Sequence, residues 1–246
     1  MGQKRGYQRG FPVAVLVGLE DNQAVLWQVF SQVVKPFQRL KLEGNRTESN
    51  AVYNFHESIL NSLKPLLHEG VKSIVVTAPP RTTYTKDFLE HTQKHHRYLT
   101  QSKNPDRANF AELVGSADDQ LKVAELVKTK EFTKLVEDTT SQEADHILNS
   151  LEKHLYGDDS VVLYALKEIE DTIYMRDNGV QPTHNEYLLL TSKYLGESKQ
   201  KNRIHRLIQI AKNKKVKTKV IDTETSAGNR ITQFGGIVFF STPTNF

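Results

Sequence analysis

Apolar residues recur at two different spacings along the first third of the chain. The runs "PVAVLVGLE" and "NQAVLWQVF" are rich in valine and leucine and are separated by turn-forming residues at 20–22, so they predict a β-hairpin. The segment "PFQRLKLE" alternates weakly and predicts a third strand. From Asn50 to Glu69 the apolar positions follow helical spacing, and Gly70 is placed as a C-cap residue. Pro65 predicts a kink or a split near the end of this helix.

Beyond residue 70 the pattern alternates between strands and helices. The β-branched run in "VKSIVVTAPP" predicts a buried strand, and "TKDFLEHTQKHHRYL" predicts a helix. A further short strand is predicted at Phe110–Val114, and "GSADDQLKVAELV" contains a helix start. Helical spacing then continues from Lys134 to Leu155. The order of hairpin, helix, strand and helix indicates an α/β domain with a mixed sheet.

A second alternating series follows the break "YGDDS" at 156–160. "VVLYALKEIEDTIYMRD" predicts a helix, "NEYLLLTSKYL" a strand and "NRIHRLIQIAKNKK" a helix. "VKTKVIDT" predicts a strand, "SAGNRITQF" a short helix and "GGIVFFS" the last strand. This α-β-α-β-α-β order predicts a small three-layer α/β domain. We place the domain boundary near residue 140, which gives two α/β domains at 11–138 and 140–246.

One glycine pair lies between an aromatic residue and an apolar, strand-forming run in "ITQFGGIVFFS". Adjacent glycines allow backbone torsions and close chain approach that residues with a Cβ resist. Gly235 and Gly236 therefore predict a tight turn or bulge at the entry to the final strand.

Composition limits the class of protein. A chain of 246 residues with 37% hydrophobic residues can bury real cores, and the absence of cysteine excludes disulfides and cysteine-based zinc sites. The longest apolar runs are much shorter than the roughly 18 to 20 residues that span a bilayer. The basic start "MGQKRGYQRGF" lacks the apolar region of a secretory signal. We therefore expect a soluble, cytoplasmic protein that makes no membrane contact.

Basic residues are concentrated in four segments although the net charge is only +4. Such clusters can bind the phosphates of a nucleic acid, and each one alone is also typical of an ordinary solvated helix face. The segments are "MGQKRGYQR", Lys35–Arg46, Lys94–Arg97 and Lys212–Lys219.

Histidines are clustered near residue 91. His91 and His95 have the i, i+4 spacing of a metal-binding pair, and His96 follows them, but Thr92 stands where an H-E-x-x-H motif has glutamate. The pattern indicates exposed histidines on a basic helix, so we predict no metal and no cofactor. Three carboxylates near the basic segment could serve as general bases in a shaped pocket, although surface positions are the simpler interpretation. They are Glu43, Glu48 and Glu57.

Enzyme motifs are missing from the sequence. It contains no G-x-S-x-G nucleophile elbow, and "GNRTESN" is not a phosphate-binding P-loop. These absences do not support a serine hydrolase or a nucleotide hydrolase, and we predict no catalytic residue.

The order and spacing of the motifs resemble the Pelota and archaeal/eukaryotic release factor superfamily. "YALKEIEDTIYMRDNGV", "EYLLLTS", "IHRLIQIAKNKKVK", "TKVIDT" and "GNRITQFGGI" resemble successive elements of the family's C-terminal domain. "VAVLVGLEDNQAVLWQV", "IVVTAPP" and "KDFLEHTQKH" resemble elements of its middle domain. The resemblance covers about residues 11 to 242 and implies a middle-like domain with a mixed sheet, followed by a three-layer C-terminal domain of the ribosomal protein L7Ae type.

The sequence departs from the family in two places. Where release factors carry a Gly-Gly-Gln loop, this chain reads "LEGNRTESN", with one glycine and no glutamine, so termination-type hydrolysis is not expected. Pelota proteins keep a short basic loop there, and the residues that resemble it are predicted to bind ribosomal RNA or the tRNA acceptor arm. They are Lys35, Arg39, Lys41 and Arg46. Because the middle-like domain begins about a dozen residues from Met1, we expect no counterpart of the family's N-terminal decoding domain.

The resemblance implies a ribosome-associated translation factor that acts in rescue or recycling of stalled ribosomes without hydrolysing peptidyl-tRNA. It further implies that the C-terminal domain docks a recycling ABC-type ATPase, with Phe234, Gly235 and Gly236 as the docking or structural segment. An alternative is a peptidyl-tRNA hydrolase that frees nascent chains on large subunits, for which Gln38 is the nearest glutamine to the loop. A third alternative is a protein-interaction module outside translation.

Overall fold

The computed structural model of the chain describes residues 12–30, 33–101, 107–154, 161–175 and 184–243. It is an α/β structure with two mixed sheets, as the sequence predicts, and the chain divides into two compact units at residues 140 and 141. The basic start at 1–9, the break at 156–160 and the end of the helix predicted to continue to Leu155 lie outside the described residues. Among the described residues, every helix is too short or too polar to cross a membrane.

The first unit is built on a five-stranded sheet. Its strands are β1 (Pro12–Leu19), β2 (Gln23–Phe30), β3 (Val34–Lys41), β4 (Ser73–Ala78) and β5 (Asn109–Val114). The strand order is β3-β2-β1-β4-β5, with β3 at one edge. β1, β2 and β3 form an antiparallel meander, whereas β4 pairs in parallel with both β1 and β5. β1, β3, β4 and β5 therefore run in the same direction, and their carboxyl ends lie at the same end of the sheet.

Helices cover both faces of this sheet. They are α1 (Ser49–His68), α2 (Tyr84–His95), α3 (Arg97–Thr100), α4 (Gln120–Leu126) and α5 (Lys130–His154). On one face, α1 and α2 bury Ile59, Leu63 and Phe88 against Leu26. On the other face, Val123 and Phe132 of α4 and α5 pack against Trp27 and its neighbours. β1 and β2 are therefore buried on both faces, which explains their nearly continuous apolar runs, whereas the edge strand β3 is largely exposed.

Pro65 does not split the first helix. α1 continues through it to His68, and the backbone N–H of Glu69 still donates to the Pro65 carbonyl at 3.0 Å. Because Pro65 lies in the last turn, the missing proline N–H removes one hydrogen bond close to the helix end, where the loss is small.

The second unit is a three-layer structure around a four-stranded sheet. Its strands are β6 (Val161–Leu163), β7 (His184–Thr191), β8 (Lys217–Ile221) and β9 (Ile237–Pro243), in the order β6-β9-β7-β8. Its helices are α6 (Leu166–Met175), α7 (Ser192–Glu197), α8 (Lys201–Asn213) and α9 (Ser226–Gln233). The C-terminal half of α5 and the apolar side of α9 pack on the face that carries Leu189 and Phe240. Helices α6 and α8 bury apolar residues of their own, and Ile173 of α6 lines a cavity together with Phe239, whose side chain belongs to the opposite face.

Two sequence predictions are wrong within this unit. Val161–Leu163, predicted as the start of a helix, is an edge strand antiparallel to β9, since its β-branched pair suits a strand. Residues 192–195, predicted as the end of a strand, belong to α7. Thr191 caps this helix by accepting a hydrogen bond from the N–H of Tyr194 at 3.1 Å, so β7 ends at Thr191 and α7 begins at the next residue.

Candidate functional site

The predicted basic surface is divided by a β-bulge in β3. Leu26 pairs with Gln38 and Trp27 with Pro36, so Phe37 is an extra residue in β3. Successive side chains of a strand alternate between faces, and an extra residue reverses the alternation beyond it. Arg39, which is opposite Val25, therefore lies on the face covered by α4 and α5. Lys35 lies on the other face, opposite Gln28.

Three of the four predicted cations remain on this edge strand. Arg39 is exposed, and its guanidinium donates to the Asp118 carbonyl at 2.9 Å and to Gln23 Oε1 at 3.3 Å. Lys41 is exposed and Lys35 is half-buried. Among the described residues, neither lysine has a hydrogen-bond or ion-pair partner. The edge of the sheet thus presents Arg39 and Lys41 on one face and Lys35 on the other.

Arg46 is held against the body of the first unit. Its Nε donates to the Asp21 carbonyl at 2.8 Å, and its Nη2 donates to the Glu20 carbonyl. The guanidinium carbon lies 3.8 Å from the centre of the Tyr84 ring and 5.3 Å from that of Phe55. Burial lowers the pKa of Arg46 against the opposing effect of Tyr84 and Asp21. Arg46 therefore ties the loop after β3 to the β1–β2 turn, and its predicted role in binding RNA stays a prediction.

The loop that stands in place of a Gly-Gly-Gln segment is short and closed. Gly44 has a φ of +110°, and the N–H of Glu48 donates to the Asn45 carbonyl at 3.0 Å. Gln38 lies inside β3, three residues before the strand ends at Lys41, and pairs with Leu26. The backbone ladder therefore holds Gln38 within the sheet and away from the loop.

The glycine pair terminates α9 in a Schellman motif. The N–H of Gly236 donates to the Ile231 carbonyl and that of Gly235 to the Thr232 carbonyl, both at 3.0 Å. The two glycines have φ values of +91° and +86°, which residues with a Cβ adopt at a cost. A Cβ on Gly236 would lie 3.0 Å from the Tyr194 ring, whereas one on Gly235 would meet nothing within 4 Å. This is the turn that the sequence predicts before the last strand.

Phe234 forms an aromatic pair beside this turn. Its ring stacks on that of Tyr164, with 5.3 Å between centroids and 19° between planes. Tyr164 is 41% exposed and Phe234 is half-buried. The predicted docking function of Phe234, Gly235 and Gly236 stays a prediction, since the geometry alone identifies no partner.

A cluster of one carboxylate and two imidazoles lies between α1 and α2, and we call Glu57, His91 and His96 the Glu57 cluster. Glu57 Oε1 is 2.9 Å from His91 Nε2 and 2.7 Å from His96 Nε2. The exposed fractions of the three side chains are 27%, 8% and 12%. The sequence predicts exposed histidines here, and this prediction is wrong for His91, which is buried, and for His96, which is only 12% exposed. His95 is exposed as predicted.

The cluster has a defined charge distribution. Partial burial of the Glu57 carboxyl opposes its ionisation, but the hydrogen bonds with His96 and His91 outweigh burial and hold the pKa of Glu57 below its usual range. Burial lowers the pKa of His91 although Glu57 raises it. At neutral pH the cluster therefore combines an ionised carboxylate with a neutral His91 ring.

His56 is a buried neighbour of the cluster with no hydrogen bond at one nitrogen. It is 2% exposed, and its ring meets those of His91 and Phe88 edge-on at 5.0 and 5.4 Å. Its Nε2 has no partner among the described residues. Burial first, and then His91, lower the pKa of His56 to about 4.

We expect the first unit to lose stability as pH falls from about 6.5 toward about 4. In this range His56 binds a proton in the unfolded chain, whereas its buried ring stays neutral in the folded chain. One pKa unit corresponds to about 1.4 kcal/mol, so His56 should account for about 1 to 2 kcal/mol between pH 7 and pH 5. Urea unfolding followed by fluorescence of Trp27 measures this. Trp27 is the only tryptophan and lies in β2.

The variant His56→Leu should remove most of this pH dependence, and His68→Gln, at an exposed position of α1, should retain it. The groups that act on the His56 charge besides His91 are Arg46, which opposes protonation, and Asp87 and Glu57, which favour it. An identical pH slope in His56→Leu and the parent chain would contradict the assignment to His56.

Sequence reasoning missed how these side chains are brought together. Glu57 and His91 are 34 residues apart in the chain, and only the packing of α1 on α2 joins them. The available signal was the histidine spacing on α2 together with a carboxylate on the preceding helix. Helical periodicity does not show which flank of α1 faces α2.

The sequence matches no protein-family model and no curated protein significantly. Among solved structures, the chain is similar to a ribosome-bound archaeal Pelota described with ABCE1, with a TM-score of 0.54, 15% identity, and coverage of 98% of this chain and 64% of that protein. Dom34 of S. cerevisiae, described as a translation termination-like factor, matches with a TM-score of 0.48, 20% identity and coverage of 94% and 63%.

An archaeal translation termination factor, aRF1, matches with a TM-score of 0.32, 15% identity and coverage of 93% and 61%. The chain spans less than two thirds of the length of each of these proteins. Of the three comparisons, the one with archaeal Pelota exceeds a TM-score of 0.5 and supports the fold assignment. The resemblance predicted from the motifs is therefore confirmed at the level of the fold: this chain has a Pelota-like fold.

Proposed function

We propose that this chain is a translation factor that binds the ribosome and acts in rescue or recycling of stalled ribosomes, without itself hydrolysing peptidyl-tRNA. The observation that carries the proposal is the Pelota-like fold, because the archaeal Pelota with this fold is described as ribosome-bound. The order of motifs along the sequence supports the same relationship.

The edge strand β3 supplies the RNA-binding surface in this proposal. Lys35, Arg39 and Lys41 project from the two faces of a strand whose outer side has no neighbour among the described strands. Cations on both faces can contact phosphates on either side of the edge, and such contacts release counterions and make binding salt-dependent. Arg46 takes part indirectly, because it fixes the loop that follows the strand.

The second unit supplies the partner surface. We propose that Phe234, Gly235 and Gly236 belong to a docking site for an ABC-type ATPase, because the ribosome-bound archaeal Pelota is described together with ABCE1. Gly235 is exposed at the end of α9, and the Phe234–Tyr164 pair lies next to it. A tRNA is a further proposed partner, through the same cations of β3.

Reversing the charges of β3 should weaken ribosome binding. In the triple variant Lys35→Glu, Arg39→Glu and Lys41→Glu, we expect at least about a tenfold loss of affinity. The slope of log affinity against log salt should also become shallower by about 2 to 3, since three phosphate contacts are lost. Sucrose-gradient co-sedimentation with 30S, 50S and 70S particles at several salt concentrations measures both quantities.

A charge-matched variant controls for the change in net charge. Lys193, Lys199 and Lys201 are exposed lysines of the second unit, and their replacement by glutamate changes the total charge equally. This control should keep the parent salt slope. Equal losses in the two triple variants would contradict a specific role for β3, and no association of the parent chain at low salt would favour an interaction module outside translation.

Within the part of the chain that the structure describes, no geometric feature favours the peptidyl-tRNA hydrolase alternative, because Gln38 is held inside β3. Adding the chain to large subunits that carry peptidyl-tRNA separates the two functions on the same particles. Peptide release that disappears in Gln38→Ala would replace the proposed function by the hydrolase.

A further inference from the structure

We propose that Glu57, His91 and His96 bind a single zinc ion that links α1 to the end of α2. The inference is independent of ribosome binding and concerns the first unit alone. It rests on three metal-binding atoms, one from each side chain, that all lie within 4.8 Å of one another.

The chemistry of the donor atoms fits zinc. Two imidazole nitrogens and one carboxylate oxygen suit Zn²⁺, whereas Mg²⁺ and Ca²⁺ prefer oxygen ligands alone. Zinc bonds of about 2.0 to 2.1 Å in a tetrahedral site separate neighbouring ligand atoms by about 3.3 Å. Glu57 Oε1 lies 2.9 and 2.7 Å from the two Nε2 atoms, so each of these two separations must increase by about half an ångström to reach that spacing.

Both imidazoles already direct Nε2 at one carboxylate oxygen, Glu57 Oε1. Each ring can bind an ion through Nε2 when Nδ1 carries its proton. The Tyr98 hydroxyl lies 3.5 Å from His96 Nδ1 and can accept a hydrogen bond from its N–H, which is the kind of contact that orients metal-bound histidines. A cation between the three atoms would replace the two Nε2 protons that now share Oε1.

The supporting elements are rigid and leave one side open. Glu57 lies on the long helix α1 and His91 on α2, while His96 follows the last residue of α2. The cluster is partly buried, with Glu57 the most exposed of the three at 27%. Three protein ligands with one side toward solvent match a zinc site whose fourth ligand is water. The buried ring of His56 borders His91 on one side, and the exposed ring of Tyr53 meets His91 edge-on at 4.9 Å.

The test is equilibrium dialysis of the untagged full-length chain, first stripped with EDTA, against zinc chloride. We expect one zinc ion per chain. His91→Ala and His96→Ala should weaken binding by at least about 100-fold, and Glu57→Gln by about 10- to 100-fold. His68→Ala, which removes an exposed histidine at the end of α1, should bind zinc like the parent chain.

A second readout keeps the proposal testable where a variant folds poorly. Glu57→Gln retains the shape and an acceptor oxygen at a partly exposed position, so it should fold. At the same zinc concentration, the Trp27 unfolding midpoint should rise more for the parent chain and for His68→Ala than for Glu57→Gln, because stabilisation of the folded state increases with its affinity for the ion. Cobalt in place of zinc should give the intense visible absorption of four-coordinate geometry.

Two results would overturn the proposal. If the chain binds no zinc, the Glu57 cluster is a hydrogen-bonded brace between the two helices. If all variants bind zinc with parental affinity, the ion occupies a different site.

Discussion

Replacing Gly228 by alanine is expected to lower the free energy of unfolding of the second unit by about 3 kcal/mol or more. Gly228 lies in the first turn of α9, and a Cβ at this position would be 1.9 Å from the backbone carbonyl oxygen of Asp222. The same Cβ would be 2.8 Å from Thr223 Cα. Both neighbours are backbone atoms, so rotation of a side chain does not relieve the clash.

The clash arises from the way in which α9 begins. Thr225 caps the helix by accepting a hydrogen bond from the N–H of Gly228 at 3.0 Å, and its own hydroxyl donates to the Asp222 carbonyl at 2.7 Å. These two bonds fold the turn after β8 over the first helical turn. Alanine at 228 must therefore move the helix or break the cap, and a Thr225 cap contributes about 1 kcal/mol by itself.

Hydrogen exchange of β8 and β9 amides, followed by mass spectrometry, measures this loss in the second unit. Gly196→Ala is the matched control, because Gly196 is a helical glycine of the same unit with nothing within 4 Å of its added Cβ. That control should be neutral or stabilising by up to about 1 kcal/mol. Unchanged exchange in Gly228→Ala would contradict the close packing of the turn on α9.

Gly228→Ala is also expected to affect the proposed docking segment at the other end of α9. Phe234 and the glycine pair follow directly after its last residue, Gln233. A helix displaced at Gly228 would also shift the proposed ATPase-docking segment, so Gly228→Ala should impair partner binding without a residue at the surface being changed. Loss of partner binding in this variant alone therefore does not identify the docking residues.

Sequence predicts an element well when the pattern that specifies it lies within that element. The apolar spacing of α1 and the β-branched run of β4 each report burial of one element against the core, and both were predicted in place. The turn at Gly235 and Gly236 was predicted because a Schellman motif needs residues that tolerate positive φ within a few positions. Tertiary context was not required for these predictions.

The arrangement of the site was less predictable because it depends on pairing between elements. Lys35, Arg39 and Lys41 have the even spacing of one strand face, and the bulge at Phe37 puts Lys35 on the other. A bulge is a property of the β2–β3 register and leaves no clear trace in β3 alone. The sequence predicts a free cation at Arg46 because the groups that bind it, the backbone carbonyls of Glu20 and Asp21, lie in the distant β1–β2 turn.

Breaking the buried ion pair of the second unit should have a comparably large effect. Lys219 Nζ donates to Glu143 Oε2 at 2.6 Å, and both side chains are only 5% exposed. Lys219 pairs in register with Leu189, whose side chain belongs to the apolar cluster that α5 covers. In Lys219→Met, Glu143 loses its cation in this apolar setting, and we expect a loss of about 3 to 5 kcal/mol, measured by the same hydrogen exchange.

The double variant Glu143→Leu with Lys219→Met separates the cost of removing Lys219 from beside the Glu143 carboxylate from the value of the pair itself. Removing both charges should recover most of the lost stability, because well-packed apolar replacements of buried ion pairs are often neutral or stabilising. Lys86→Met is the exposed comparison: it breaks the 3.8 Å pair with Glu90 in α2 and should cost less than about 1 kcal/mol. If the double variant is as unstable as Lys219→Met, the lysine stem, and not the charge of Glu143, accounts for the loss. Recovery would mean that the pair itself contributes little net stability, and that the loss in Lys219→Met is the cost of leaving the Glu143 carboxylate without Lys219.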